Sequence, residues 1–224
     1  MQQSYFQMRT IAGLMLLLTL LFAVFILPVF SFEWQGKTSL IVYTILYFSA
    51  FFSLEKRKRS ILVLSIFAFF TEWFAGIFSI WAMATVSKSL NVIFFLIIVV
   101  TLVYQVSTAR KVTLEVILGA IIGYLMLGLV YSIFVAFIMQ QDPGAYNITQ
   151  NLQPDFGPIT HLGESIYYTF ITLTTVGYGD ILPVKPYTRS LSVLISVSGQ
   201  LYIAIIIALL VGKFASDSDN AKSG

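Results

Sequence analysis

One short stretch of the sequence, TLTTVGYGD at residues 172–180, has residue types and spacing suited to binding a cation. Glycine enters positive φ without steric cost, so Gly177 and Gly179, which alternate with larger residues, let successive backbone carbonyls turn to the same side. A row of carbonyl oxygens can replace the water shell of a cation, and the hydroxyl of Thr175 adds a ligand at one end. The stretch therefore predicts a path for cations along the backbone.

The composition around this stretch is that of an integral membrane protein. Hydrophobic residues make up 58% of the 224 residues and charged residues only 10%, whereas soluble domains carry about 25% charged residues. There is no cysteine, which excludes disulfides and thiol chemistry, and the single histidine, His161, has no neighbouring metal-ligand pattern. We therefore expect no cofactor and no metal site of the enzyme type.

Apolar runs long enough to cross a membrane recur along the chain, and a spanning helix needs about 20 such residues. The sequence predicts an all-α membrane protein with six transmembrane helices, at about 10–30, 38–54, 61–82, 90–106, 113–139 and 188–214. A semi-apolar segment at 163–174 is too short to span and predicts a re-entrant helix. Non-helical backbone is tolerated at this depth only where it is buried or lines a cavity, so residues 175–179 should line a path.

The distribution of basic residues predicts the orientation. With a cytoplasmic N-terminus, nine Lys and Arg residues fall on the inner side and four on the outer side, and EKRKRS at 55–60 is the strongest anchor. The positive-inside bias then places both termini in the cytoplasm of a cell, with the chain in the cell membrane. The basic run is also suited to binding anionic membrane lipids. The net charge of +3 gives no indication of nucleic-acid binding.

Residues 164–199 resemble the tetrameric potassium channel family. The similarity comprises a pore helix SIYYTFITLT, the filter TVGYGD, the following ILP, and an inner helix with a glycine partway along it. The resemblance implies a selectivity filter in which four carbonyls coordinate K⁺, those of Thr175, Val176, Gly177 and Tyr178. It also implies filter support from residues around these four, namely Thr174, Gly179, Asp180 and Tyr168. Gly199 matches the glycine often treated as a gating hinge in this family.

Two positions depart from the family pattern. Many of these channels carry two tryptophans in the pore helix, where this chain has Tyr167 and Tyr168. Any side chain that braces Asp180 must therefore be a phenol hydroxyl, or the brace is absent. Ile171 replaces a glutamate that contacts the filter aspartate in one well-studied bacterial channel, so that carboxyl pair is missing here.

The remaining helices predict how the chain assembles and how it is controlled. One filter supplies a quarter of a carbonyl ring, which implies a homotetramer. We predict a four-helix domain at 1–109, a pore domain at 110–214 and a short tail at 215–224. The layout is similar to that of voltage-gated potassium channels, but residues 90–106 contain no Lys or Arg. Steep voltage dependence therefore has no source in this span.

Three further residues within the spans invite a function. Glu72 lies near the middle of the third span, where an ionisable side chain is either a proton sensor or a protonated group at a helix contact. Gly119 and Gly123 form a Gly-x-x-x-Gly that would let the fifth span approach the sixth closely, although membrane glycines are common. The sequence does not indicate the gating stimulus.

The sequence predicts a passive potassium-selective channel that is not gated by voltage, with K⁺ as its permeant ion. Two alternatives stay open: a non-conducting scaffold or regulatory subunit with a relict pore, and a weakly selective cation channel. An intramembrane enzyme lacks support, because no paired catalytic groups accompany Glu72 and no Gly-x-Ser-x-Gly is present.

Overall fold

The structure is a computed structural model, and it describes part of the chain. The described residues are 2–30, 32–53, 63, 65–71, 73–74, 81–109, 112–148 and 161–222. Glu72, Arg110 and Lys111 lie outside the described residues, as do the basic run at 55–60 and part of the third predicted span.

Helices dominate the described part of the chain. We label the helices α1 to α6 and the strands β1 and β2; α1 continues into a π-helix, Phe22–Ile26, and a 3₁₀-helix, Leu27–Val29. The elements in chain order are α1 Gln2–Leu21, α2 Phe32–Ser53, α3 Trp81–Thr108, α4 Leu114–Gln141, β1 Tyr146–Ile148, α5 His161–Leu173, β2 Ile181–Pro183 and α6 Pro186–Lys222.

Four of the described helices are long and apolar enough to cross a membrane, which makes this a multi-pass membrane protein. These spans are Thr10–Val29, Ser89–Thr108, Leu114–Gln141 and Pro186–Ala215. They confirm the first, fourth, fifth and sixth predicted spans to within a few residues. The second predicted span contains a shorter apolar helical stretch, Leu40–Ala50. Within the third predicted span, residues 65–71 are helical.

The largest core cluster joins α1, α2 and α3 to α4. Leu16, Leu46, Phe94 and Met126 are among its fully buried side chains. One buried polar pair lies in this part of the molecule: the hydroxyl of Tyr47 donates a hydrogen bond to the side-chain oxygen of Asn91, as burial in an apolar environment favours. The first four predicted spans therefore do not stand apart from α4, because α4 packs directly against α1 and α3.

A two-stranded antiparallel ribbon lies between α4 and α6. In its register Tyr146 pairs with Pro183 and Ile148 with Ile181. The amide of Val184 donates a hydrogen bond to the carbonyl oxygen of Ala145 at 2.9 Å. The hydroxyl of Thr188 lies 3.2 Å from the same oxygen and 2.9 Å from the carbonyl oxygen of Lys185, so the ribbon contacts the start of α6. These strands are not predicted from the sequence. They connect the chain after α4 to the residues that follow Asp180.

The predicted Gly-x-x-x-Gly brings α4 close to two different helices. Gly123 faces Tyr202 of α6, whose hydroxyl donates a hydrogen bond to the carbonyl oxygen of Ala120 at 2.7 Å. Gly119 instead faces Leu102 and Val106 of α3 at ordinary contact distances. The prediction that the pair lets the fifth span approach the sixth is therefore right for Gly123 only.

The far end of α6 is tied to α3. The amino group of Lys213 donates hydrogen bonds to the carbonyl oxygens of Val106 and Ser107, the second at 2.9 Å. Carbonyls in the last turn of a helix lack partners within the helix, and a cation there interacts favourably with the helix dipole. Through this contact α6 is attached to α3 at one end and to the ribbon at the other.

Candidate ion-conducting site

The short helix α5 ends directly before the TVGYG residues, and its last turn holds the chain that follows. The amide of Thr175 donates a hydrogen bond to the carbonyl oxygen of Thr172 at 3.0 Å. The amides of Val176 and Gly177 both donate to the carbonyl oxygen of Ile171, at 2.9 and 3.1 Å. These bonds satisfy carbonyls that the end of α5 would otherwise leave without partners.

The direction of these amides fixes the direction of the carbonyls. In a planar trans peptide the N–H of one residue and the C=O of the preceding residue point to opposite sides. Because the amides of residues 175–177 point back to α5, the carbonyls of Thr174, Thr175 and Val176 point away from it. Three successive carbonyl oxygens therefore face away from the helix that supports them, which is the arrangement that cation coordination needs.

Positive φ angles recur at every second residue of this stretch. Gly177 has φ of 52° and Gly179 has φ of 82°, as the glycine positions predict. Thr175 has φ of 63° and is the one non-glycine residue with positive φ among the described residues. A threonine in the left-handed region is uncommon. The amides of Thr175 and Val176 are both hydrogen-bonded to α5, and these bonds hold Thr175 in this conformation.

Asp180 is held by a tyrosine of α5. The hydroxyl of Tyr167 donates a hydrogen bond to Oδ2 of Asp180 at 2.5 Å, and Oδ1 accepts the amide of Ile181 at 3.1 Å. The bond to the Asp180 carboxylate raises the pKa of Tyr167 to about 12, with desolvation a smaller cause. The brace that the sequence left open is thus a phenol hydroxyl, and it spans 13 residues.

Tyr168, the residue predicted to support the filter through Asp180, points elsewhere. Its side chain is 3% exposed and packs edge-on against Tyr146 at a ring distance of 5.1 Å. Its hydroxyl pairs with that of Ser192 on α6. Neighbouring residues on a helix point about 100° apart, so only one of the two tyrosines can face Asp180. Tyr168 supports this region by fixing α5 against β1 and α6.

The predicted hinge residue, Gly199, lies within the unbroken helix α6. A Cβ atom there would overlap the backbone oxygen of Leu173 and lie 2.9 Å from its Cδ1. Glycine is therefore required for the close approach of α6 to α5. The hinge role stays a prediction, as does a sensor role for Glu72. The close approach of Gly199 to α5 and the role of the nearby serines of α6 were not predicted from the sequence. The spacing of the small residues at 192, 196 and 199 would have indicated a helix contact.

Tyr167→Phe is expected to raise amide hydrogen exchange in peptides covering residues 178–182 about fivefold, the factor that corresponds to one lost net hydrogen bond. In the wild type the hydrogen bond is fully present below the pKa of free tyrosine, near 10, and is lost as pH rises through the raised pKa of Tyr167. The wild-type exchange rate, corrected for its intrinsic pH dependence, should therefore stay constant between about pH 6 and about pH 9. Tyr168→Phe is the matched control, because its hydroxyl contacts Ser192. Equal exchange in the two variants would contradict the assignment.

No cluster of three or more His, Cys, Asp or Glu side chains that could hold a metal ion occurs in the part of the chain that the structure describes. The oxygen atoms that could bind a cation at this site are backbone carbonyl oxygens. The side chains of this stretch are exposed in the single chain: Tyr178 is 73% exposed and Val176 is 52% exposed.

Comparisons with known proteins agree with this geometry. A family profile described as "Ion channel" matches residues 144–216. The chain is 26% identical over 98 residues to the potassium voltage-gated channel subfamily A member 10 of Mus musculus, covering 43% of this chain and 17% of that protein. It is 39% identical over 70 residues to the calcium-gated potassium channel TvoK of Thermoplasma volcanium, covering 30% of this chain and 20% of that protein.

A further relative is the A-type voltage-gated potassium channel KCND3 of Rattus norvegicus, 36% identical over 56 residues, with 25% of this chain and 8% of that protein covered. The chain thus spans a fifth or less of the length of these relatives. No solved structure matches the chain significantly. Residues 144–216 thus match an ion channel family, and the chain has distant similarity to potassium channels over part of its length.

Proposed function

We propose that this chain is the subunit of a potassium-selective channel that conducts K⁺ passively across the cell membrane. The observation that carries the proposal is the direction of the carbonyls at Thr174, Thr175 and Val176, away from α5, with positive φ at alternate residues. The proposed ion ligands are the carbonyls of Thr175, Val176, Gly177 and Tyr178. Three relatives whose names describe potassium channels support the choice of ion.

We propose further that four copies assemble around a closed rotational axis. One chain contributes one row of carbonyl oxygens, from Thr175 to Tyr178, which we call the carbonyl row, and a ring of four rows is needed to surround an ion. The surface of α6 supports this assembly. In the most apolar stretch of α6, 17% of the residues are buried within one chain, whereas the corresponding share for α4 is 50%. The exposed apolar side chains include Val193, Leu194 and Leu201. A helix that is apolar on every side needs partners from other chains or from membrane lipids.

We propose that opening does not depend steeply on voltage. Residues 89–109, which include the apolar part of α3, contain no Lys or Arg, and moving one charge through 100 mV is worth only about 2.3 kcal/mol. On this proposal residues 1–109 form a four-helix domain attached to a pore domain at 110–214, with both termini in the cytoplasm. The contact of Lys213 with the end of α3 then lies on the cytoplasmic side.

The experiment is a flux measurement on the purified protein in liposomes. With a potassium gradient, we expect K⁺ flux that barium blocks, little Na⁺ flux, and a conductance that changes little with voltage. Equal K⁺ and Na⁺ flux would contradict potassium selectivity and favour a weakly selective cation channel. No flux of either ion across a range of pH and lipid composition would contradict a conducting pore and favour a scaffold or regulatory subunit.

A further inference from the structure

Three small residues of α6 lie on one face and all contact α5. Ser192, Ser196 and Gly199 are spaced by four and three residues, which places them in a row along a helix. We call this row the small-residue face. Serines within membrane helices commonly bond to a carbonyl of their own helix, as Ser198 does with the carbonyl oxygen of Ile195 at 3.0 Å. Ser196 differs, because its hydroxyl bonds to the neighbouring helix, and Ser192 and Gly199 also contact that helix.

Ser196 makes the contact nearest to the proposed ion path. Its hydroxyl donates a hydrogen bond to the carbonyl oxygen of Thr172 at 3.1 Å. The same oxygen accepts the amide of Thr175 at 3.0 Å. A carbonyl oxygen has two lone pairs, and here both are used. The carbonyl oxygen of Thr172 in α5 thus links Ser196 of α6 to Thr175, the first residue of the carbonyl row.

Ser192 fixes α5 one turn earlier. Its hydroxyl proton goes to the carbonyl oxygen of Thr188 at 2.7 Å. A serine hydroxyl has one proton, so the contact with the hydroxyl of Tyr168 must be a bond that Tyr168 donates. Tyr168 is buried, and this bond gives its hydroxyl the partner that burial requires.

Gly199 permits direct contact between α6 and the last residue of α5. A Cβ would overlap the backbone oxygen of Leu173 and lie 2.9 and 3.0 Å from its Cδ1 and Cγ. Leu173 is fully buried, and its backbone oxygen cannot swing aside as the end of a flexible side chain would. The position of the last turn of α5 is therefore set by the surface of α6.

We propose that the small-residue face of α6 positions the carbonyl row, with Ser196 as a positioning residue for ion selectivity. The amides of residues 175–177 are attached to the carbonyls of Ile171 and Thr172 in the last turn of α5, so any shift of that turn moves the row. Binding sites work when their geometry is held to within about 0.5 Å by supporting contacts. The selectivity part of this inference rests on the proposed function; the positioning part does not.

The test replaces the hydroxyl of Ser196 and measures two things. For Ser196→Ala we expect hydrogen exchange of the amides at 175–177 to rise about fivefold and the K⁺ to Na⁺ permeability ratio to fall about fivefold, the factor for one net hydrogen bond. Ser198→Ala is the matched control, and Ser196→Thr, which retains a hydroxyl, should restore both values. Exchange and permeability that are the same in Ser196→Ala and Ser198→Ala would overturn the inference.

The exchange measurement separates this inference from the proposed function, because it does not require conduction. A wild-type protein that passes K⁺ and Na⁺ equally contradicts the proposed function, whereas unchanged exchange at 175–177 in Ser196→Ala contradicts the inference. A second variant, Gly199→Ala, should also raise exchange at 172–177, with Gly212→Ala as control because nothing lies within 4 Å of a Cβ there. A Gly199→Ala protein with altered opening but unaltered exchange would favour a hinge and overturn positioning by Gly199.

Discussion

Gly177→Ala is expected to abolish potassium-selective conduction without preventing assembly. Gly177 has φ of 52°, and an L-residue in the left-handed region costs roughly 1–2 kcal/mol. No heavy atom lies within 4 Å of a Cβ at this position, so the cost comes from the backbone and not from packing. In a symmetric assembly every subunit carries the same backbone strain at residue 177. Its relief requires rotation of the peptide before Gly177, which moves the carbonyl of Val176 out of the row.

The effect of Gly177→Ala is measured by ion flux in liposomes together with light scattering of the purified assembly. Gly212→Ala provides the control, because Gly212 lies in α6, has no positive φ and has open space around its Cβ position. We expect the control to conduct as the wild type does. A Gly177→Ala protein that assembles and retains the wild-type preference for K⁺ would show that this backbone conformation is not needed for selectivity.

Gly128→Ala is expected to destabilise the protein by about 1–3 kcal/mol, the range for overpacking a filled interior. A Cβ at Gly128 would overlap Cζ of Phe170 and lie 2.7 and 2.9 Å from its Cε1 and Cε2. Phe170 belongs to α5, is half-buried and packs against two core clusters, so a displacement of its ring disturbs contacts with both. The expected result is a lower midpoint of thermal unfolding.

Gly119→Ala is the matched control for Gly128→Ala. Gly119 is also buried in α4, but a Cβ there meets Leu102 and Val106 at 3.7 and 3.8 Å, which is ordinary contact. The double variant Gly128→Ala, Phe170→Leu should recover part of the lost stability, since the two residues are in contact and their effects are coupled. Equal unfolding midpoints for Gly119→Ala and Gly128→Ala would contradict the close packing of α4 on α5.

The spans and the glycine conformations were predictable because each depends on a local property. A helix that crosses a membrane needs a run of about 20 apolar residues, which is visible in sequence. The positive φ of Gly177 and Gly179 follows from the residue type. The positive φ of Thr175 was not predictable in the same way, because it arises from the hydrogen bonds of the following amides to Ile171.

Contacts between distant segments were less predictable. The choice between Tyr167 and Tyr168 as the partner of Asp180 depends on the rotation of α5 about its axis, which packing against β1 and α6 determines. Strands of three residues are too short to show an alternating pattern. Gly119 and Gly123 are four residues apart, yet they meet different helices because α4 lies between α3 and α6.

We propose that the backbone at 175–178 selects K⁺, and the most direct test is the reversal potential of the purified protein in a planar bilayer. With K⁺ on one side and an equal concentration of Na⁺ on the other, each tenfold preference for K⁺ displaces the reversal potential by about 59 mV, the factor for a one-charge process. We predict a displacement of more than about 59 mV in the direction set by K⁺. A reversal potential at zero would contradict the account.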